Sequence, residues 1–169
     1  MRKAIVAHML LASFSIASAA SLDVNSHPKD FCNLAADLGY PSRPYKESTG
    51  GCASHMIDVT PNPGGNGLKN NLAYYVNSLD RNNNKLDYVS LILNVNNKKQ
   101  KSKSNLELAK VSISVFNKIN GKAPEDFHEV IKNGESKSWI KGNWKIEVKT
   151  TVWPTGQGQD TRVEFSPLN

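Results

Sequence analysis

Beyond residue 20 the sequence has no apolar run long enough to cross a bilayer as a helix, which needs about 20 such residues. It has no phosphate-binding loop either. Pro61-Asn62-Pro63-Gly64-Gly65-Asn66-Gly67 carries the glycines, but no Gly-Lys-Ser/Thr ending follows, and the segment leads toward a strand pattern. No serine stands in a Gly-x-Ser-x-Gly elbow, which excludes that hydrolase design. Cysteine is scarce, with only Cys32 and Cys52. Cys52-Ala-Ser-His55 has ligand-like spacing, yet a structural zinc site takes four ligands and no second Cys/His pair accompanies it. No internal repeat stands out. Neither a metal nor a cofactor is expected.

What is present begins with MRKAIVAHMLLASFSIASAA. Arg2 and Lys3 precede a mostly apolar stretch from Ile5 to Ile16, and Ala17 to Ala20 offers small residues for cleavage. This is the pattern of a secretory signal peptide. Cleavage is expected after Ala19 or Ala20, leaving residues 21–169 as one domain, a length sufficient to bury a core. Neither site leaves a cysteine at the new N-terminus, so the expectation is a bacterial periplasm without a lipid anchor, with secretion as second choice. The net charge of +6 becomes +4 once Arg2 and Lys3 are removed. So mild a positive balance in an exported chain speaks for solubility first, and nucleic acid is a poor candidate partner outside the cytoplasm. Export also places Cys32 and Cys52 where disulfides persist, and two cysteines allow one intramolecular pairing.

Leu79-Asp80-Arg81-Asn82-Asn83-Asn84-Lys85 opens like a calcium-binding loop, Asp-x-Asn-x-Asn. An EF-hand then needs Gly at position six and Glu at position twelve, where this chain has Lys85 and Leu91. Asn and Asp crowd turns because they bond their own main chain, so residues 80–87 are expected to be a hairpin turn.

The flanking runs, Leu72 to Val76 and Tyr88 to Val95, are rich in β-branched and aromatic residues and read as strands. Val89, Leu91, Leu93 and Val95 should share the core face. Before them, His27-Pro28-Lys29-Asp30 reads as a helix entrance. Phe31, Leu34, Ala35 and Leu38 follow at helical spacing, with Gly39 as the stop. The basic connector 97–103 leads to Ser104-Asn105-Leu106-Glu107, which reads as a capping box. The helix it opens carries Leu106, Ala109, Ile113 and Phe116 on one face, widened by Leu108, Val111 and Val115, and ends at Gly121. Phe127, Val130 and Ile131 mark another helix between Pro124 and Gly134. Trp144, Ile146, Val148, Thr150 and Val152 then alternate with polar partners, and Arg162 to Phe165 reads as the neighbouring strand. The order predicts an α+β domain, an antiparallel sheet of about four to five strands with helices packed on one face.

Catalysis needs converging titratable groups, and His27, His55 and His128 lie in no recognisable motif. Glu125, Asp126 and Glu129 fall in a helix's first turns, where the dipole accounts for acids. A binding role has more to build on. Trp153 ends its strand outside the apolar alternation and leads into Pro154-Thr155-Gly156-Gln157-Gly158, while Tyr74-Tyr75 forces one ring onto each strand face. Tyr75, Trp153, Thr155 and Gln157 are therefore the candidate binding surface, since aromatics presented by a rigid sheet make good contact anchors.

The stretches Asn70 to Val76, Leu93 to Asn96 and Trp153 to Gly158, with the Cys32 and Cys52 region before them, resemble small exported bacterial proteins of unknown function. The resemblance implies no activity. The expectation is a non-catalytic domain that binds another protein, as an inhibitor or as an immunity protein against a delivered toxin. The rivals are a small hydrolase of cell-wall material using His55 or His128, and a small-ligand carrier.

Overall fold

The computed structural model describes residues 22–61, 67–80 and 84–168. The expected signal segment, most of the Pro/Gly loop and the middle of the Asp-x-Asn-x-Asn turn lie outside the described residues. In chain order the elements are β1 (Gly51–Ala53), β2 (Ile57–Asp58), β3 (Asn71–Ser78), β4 (Leu86–Val95), α1 (Lys101–Asn120), α2 (Phe127–Asn133), β5 (Lys137–Lys141), β6 (Trp144–Val152) and β7 (Gln159–Pro167). The strands form one antiparallel sheet of seven, ordered β1-β3-β4-β7-β6-β5, with β2 also paired to β3. The α+β architecture is as the sequence predicts. The chain leaves the β3–β4 hairpin, crosses one face as α1 and α2, and returns at the far edge. A β5–β6–β7 meander then brings β7 back beside β4.

Two-residue alternation decides what each strand buries. One face carries the row Cys52, Val76, Val89, Phe165, Ile146 and Trp139, and below it Tyr74, Leu91, Val163 and Val148. Against these rows α1 lays Leu108, Val111, Val115, Phe116 and Ile119, and α2 lays Phe127, Val130 and Ile131, all buried. Aromatic rings run through the middle: Phe165 lies 5.2 Å from Phe116 and 6.3 Å from Phe127, centroid to centroid, and Phe127 lies 5.5 Å from Trp139.

Three local expectations change. The first helix is two short 3-10 turns, Pro28–Phe31 and Ala36–Leu38, with Gly39 at φ 95° as the expected stop. The backbone bonds span three residues, Leu34 N–H donating to Phe31 O at 3.3 Å and Leu38 N–H to Ala35 O at 3.2 Å. The rest of the domain holds these turns from outside: the Tyr74 hydroxyl donates to Phe31 O (2.6 Å) and the Lys118 ammonium to Leu34 O (2.7 Å). The capping box is not one either: α1 starts at Lys101, so Ser104 sits inside it, fully buried, donating to Gln100 O at 3.0 Å. Asn70 on the neighbouring segment donates to that same hydroxyl, so tertiary packing claims the side chain that the local pattern assigned to a cap. Finally, the buried stripe of α1 is turned toward Leu108, Ser112 and Ile119, leaving Leu106 43% exposed.

The edge strands β1, β2 and β5 are too short for alternation to announce them. Ser42↔Ser54 and Lys46↔Gly51 bridges lay residues 42–46 along β1 and cover that edge. Gly51 lets β1 close on β3, because a Cβ there would stand 2.4 Å from the Val76 carbonyl oxygen. The β5 edge bears Lys137 and Lys141, charges of the kind that discourage strand addition. The Cys32–Cys52 disulfide ties the 3-10 turns to β1, which takes Cys52 away from any metal site with His55. No helix among the described residues is long and apolar enough to cross a membrane.

Candidate binding face

Among the described residues, helices cover one face of the sheet and none covers the opposite face. Its rows run Ala53, Tyr75, Ser90, Glu164, Glu147 and Ser138, then Ala73, Ile92, Arg162 and Lys149. The centre is apolar and closely packed: Ala73 and Ser90 are buried although they point away from the helices, and Tyr75, Tyr88 and Ile92 are half-buried. Charges flank this centre on the β7–β6 side and at one end. Lys145 pairs with Glu147 at 2.6 Å, Arg162 with Glu164 at 3.6 Å, and Asn77 donates to Asp87 at 3.3 Å.

Burial leaves its mark on the two groups nearest the middle. Desolvation pushes the Tyr88 hydroxyl up from its ordinary range, against the pull of Arg162. Desolvation also raises the Glu164 carboxyl, with Arg162 opposing and Glu147 and Asp87 adding to the rise. A carboxyl raised on folding favours the native state while protonated, and that advantage is lost as pH climbs through its folded value. Glu164→Gln should therefore match the parent in acid, near about pH 4, and exceed it in stability near about pH 7. Urea unfolding at both pH values checks this, and a variant weaker at neutral pH shows instead that the Arg162 pairing dominates.

The sequence-chosen residues divide. Trp153, Thr155 and Gln157 share the β6–β7 hairpin at one end of the open face, whereas Tyr75 lies near its middle. Ser90, beside Tyr75, and Asn94, beside Asp160, are four residues apart on β4, roughly 13 Å at strand rise. Trp153 is tied down: its indole N–H donates to Asp160 at 3.3 Å, and its ring lies over Gly158. A methyl group on Gly158 would fall 2.3 Å from that ring and 2.7 Å from Val95 O, so glycine here makes room for the tryptophan. Thr155 and Gln157 are exposed at the tip, the Gln157 amide donating to Thr155 Oγ1 at 3.3 Å. Lys98 reaches across to Gly156 O at 2.6 Å, and Gln157 joins Gly67, Leu68 and Asn96 to Lys99 around a depression of about 300 Å³.

The histidines do not converge. His27 contacts Asn84 at 3.1 Å, and His128 contacts Glu129 at 3.0 Å on the exposed side of α2, where Lys132 also binds that carboxylate. The Lys132 and His128 contacts hold Glu129 below its ordinary range. Asp126 does more than meet a helix dipole: Lys137 and the Trp139 indole (2.9 Å) both bond it, and Lys137 lowers its carboxyl. It anchors β5 to α2. No group of three or more His, Cys, Asp or Glu among the described residues is placed to hold a metal ion. Asp80 O accepts from Ser78 Oγ at 2.8 Å at the start of the β3–β4 turn.

Sequence reasoning missed a second depression, of about 480 Å³, between the covering segment 42–46 and β1, with Arg43, Lys46, His55 and Met56 on its walls. Arg43 and His55 are twelve residues apart and meet only because that segment folds back on β1; no local pattern announces the pairing. The space between helices and sheet, where a carried ligand would sit, is occupied by Phe116, Phe127, Phe165 and Leu91, all fully buried. No known protein family, curated protein or solved structure matches the chain.

Proposed function

We propose that this domain is a non-catalytic protein-binding module of the bacterial periplasm, in the class of inhibitors or toxin-immunity proteins, with the open sheet face as its contact surface. One observation carries the reading: the helices fill one side of the sheet, and the other presents Tyr75, Tyr88 and Ile92 beside the paired charges of β6 and β7. An apolar, aromatic centre with a polar rim is the anatomy of a protein interface. The hairpin of Trp153, Thr155 and Gln157 extends that surface at one end. The disulfide fits an oxidising compartment.

The test places a photo-crosslinking side chain at Tyr75, Ile92 or Gln157, and at Lys110 on the exposed side of α1, in the exporting cell. Adducts of one defined mass from the open-face positions, with none from Lys110, are expected. Tyr75→Ala and Trp153→Ala should each weaken capture of that partner by roughly thirtyfold, the scale of an interface hot spot. Equal adducts at Lys110, or capture indifferent to both substitutions, removes the proposed surface.

A further inference from the structure

We infer that the depression beside β1 is a binding site for a carboxylate carried on an apolar stem. The inference goes beyond the open-face reading and does not need it. Of the eleven residues lining the depression none is acidic, and two, Arg43 and Lys46, carry fixed positive charge. The arrangement of Arg43 has a chemical consequence. Its Nη2 stands 3.3 Å from His55 Nδ1, and a guanidinium only donates. His55 Nδ1 must therefore accept, which leaves the imidazole proton on Nε2 as a further donor. Asn77 on the wall already spends its carboxamide N–H on Asp87, at 3.3 Å. The lining thus offers two fixed cations and no acid to balance them, which favours an anion as the occupant.

The rest of the wall selects which anion. Pro44, Ala53 and Met56 give it an apolar side, and Met56 is 59% exposed with only a long 3.9 Å contact from Asn94. A planar guanidinium matches a carboxylate in two parallel bonds, and a thioether and a proline ring receive a hydrocarbon chain. A bare phosphate would use the charge and leave the apolar side empty. The volume, about 480 Å³, is that of a small-molecule site and accepts one residue of a peptide as well as a free acid. The frame is firm, because Arg43 N donates to Ala53 O at 2.9 Å and the Cys52 disulfide underlies the floor.

The experiment titrates the full-length exported protein with N-acetyl-leucine, N-acetyl-leucinamide, inorganic phosphate, and a ten-residue peptide ending in a free leucine carboxylate. Binding is read by calorimetry and by the amide resonances of Gly51, Ala53 and His55. Saturable binding of N-acetyl-leucine and the peptide, at or below roughly 10 mM, is expected, with no response to the amide. Arg43→Gln should weaken it at least tenfold, since a charge-assisted bond is lost, and Lys46→Gln less. Lys110→Gln should leave it unchanged. Both Arg43 and Lys46 are exposed and Arg43 is held through its backbone, so the variants keep the fold, which their unaltered melting confirms. A peptide at least tenfold tighter than N-acetyl-leucine assigns the carboxylate to a polypeptide end, and equal affinities assign it to a free acid. No saturable binding, equal binding of the amide, phosphate acting as strongly as the carboxylate, or indifference to Arg43→Gln each overturns the inference. Loss of carboxylate binding with open-face crosslinks intact, or the reverse, tells its failure from that of the protein-binding reading.

Discussion

Asn70→Ala is expected to destabilise the domain by about 3 kcal/mol, lowering the melting temperature by roughly 6–12 °C. Asn70 is fully buried and works as a clamp. Its carboxamide oxygen accepts from Asn97 N at 2.7 Å, while its Nδ2 donates to Asn97 O at 3.1 Å and to Ser104 Oγ at 2.7 Å. Its backbone N–H donates to Thr60 Oγ1 and its carbonyl accepts from Val59 N. One side chain thus fastens the exit of β4 and the first turn of α1 to the entry of β3. Alanine strands the Asn97 N–H, whereas the Ser104 hydroxyl keeps its bond to Gln100. Asn70→Asp is expected to be worse than alanine, since it buries a charge and faces Asn97 O with an acceptor. Urea unfolding of both variants checks the order. An alanine variant within about 1 kcal/mol of the parent would show that the connector is held by its own turns.

Reduction of Cys32–Cys52, or replacement of both residues by serine, is expected to cost roughly 3 kcal/mol. The bridge closes a loop across a separation of 20 residues, and the figure follows from the entropy such a closure removes from the unfolded chain. The effect should be concentrated in one place. The 3-10 turns are too short to be stable alone, and besides the bridge they are held by Phe31 in the core, by the Tyr74 hydroxyl and by Lys118, which binds Leu34 O and Asp37. Amide exchange in residues 28–39 should accelerate on reduction before β4 or β7 responds, with thermal melting falling by about 6–12 °C. A reduced protein melting within about 2 °C of the oxidised one would mean that these contacts suffice.

How far the sequence could be read depended on the distance over which each element is decided. Alternation over Tyr88 to Val95 and Trp144 to Val148 named the buried residues correctly, because a strand with one covered face repeats the same choice every second position. Val152 continues that alternation at the end of β6 but is 63% exposed. The α2 stripe of Phe127, Val130 and Ile131 was legible for the same reason as the strands, and Gly134 closes it at φ 72°. The candidate surface was only partly legible. Sequence could say that Trp153 leaves the alternation, but its bond to Asp160 and its seat on Gly158 depend on the hairpin having closed.

The amino-acid pattern by itself determined the class of fold, the long strands and the two α-helices, the faces that β4, the first half of β6 and α2 bury, and the single possible disulfide. Each of these follows from local periodicity or from a count of two. Tertiary structure alone decided that residues 28–38 form 3-10 turns, that Ser104 is a buried partner of Asn70, and that Arg43, Lys46 and His55 share a wall free of acids. The reason is physical. A periodic apolar pattern reports how much surface a segment must hide, whereas a hydrogen bond or a shared depression depends on which distant segment arrives opposite, and only the closed sheet fixes that.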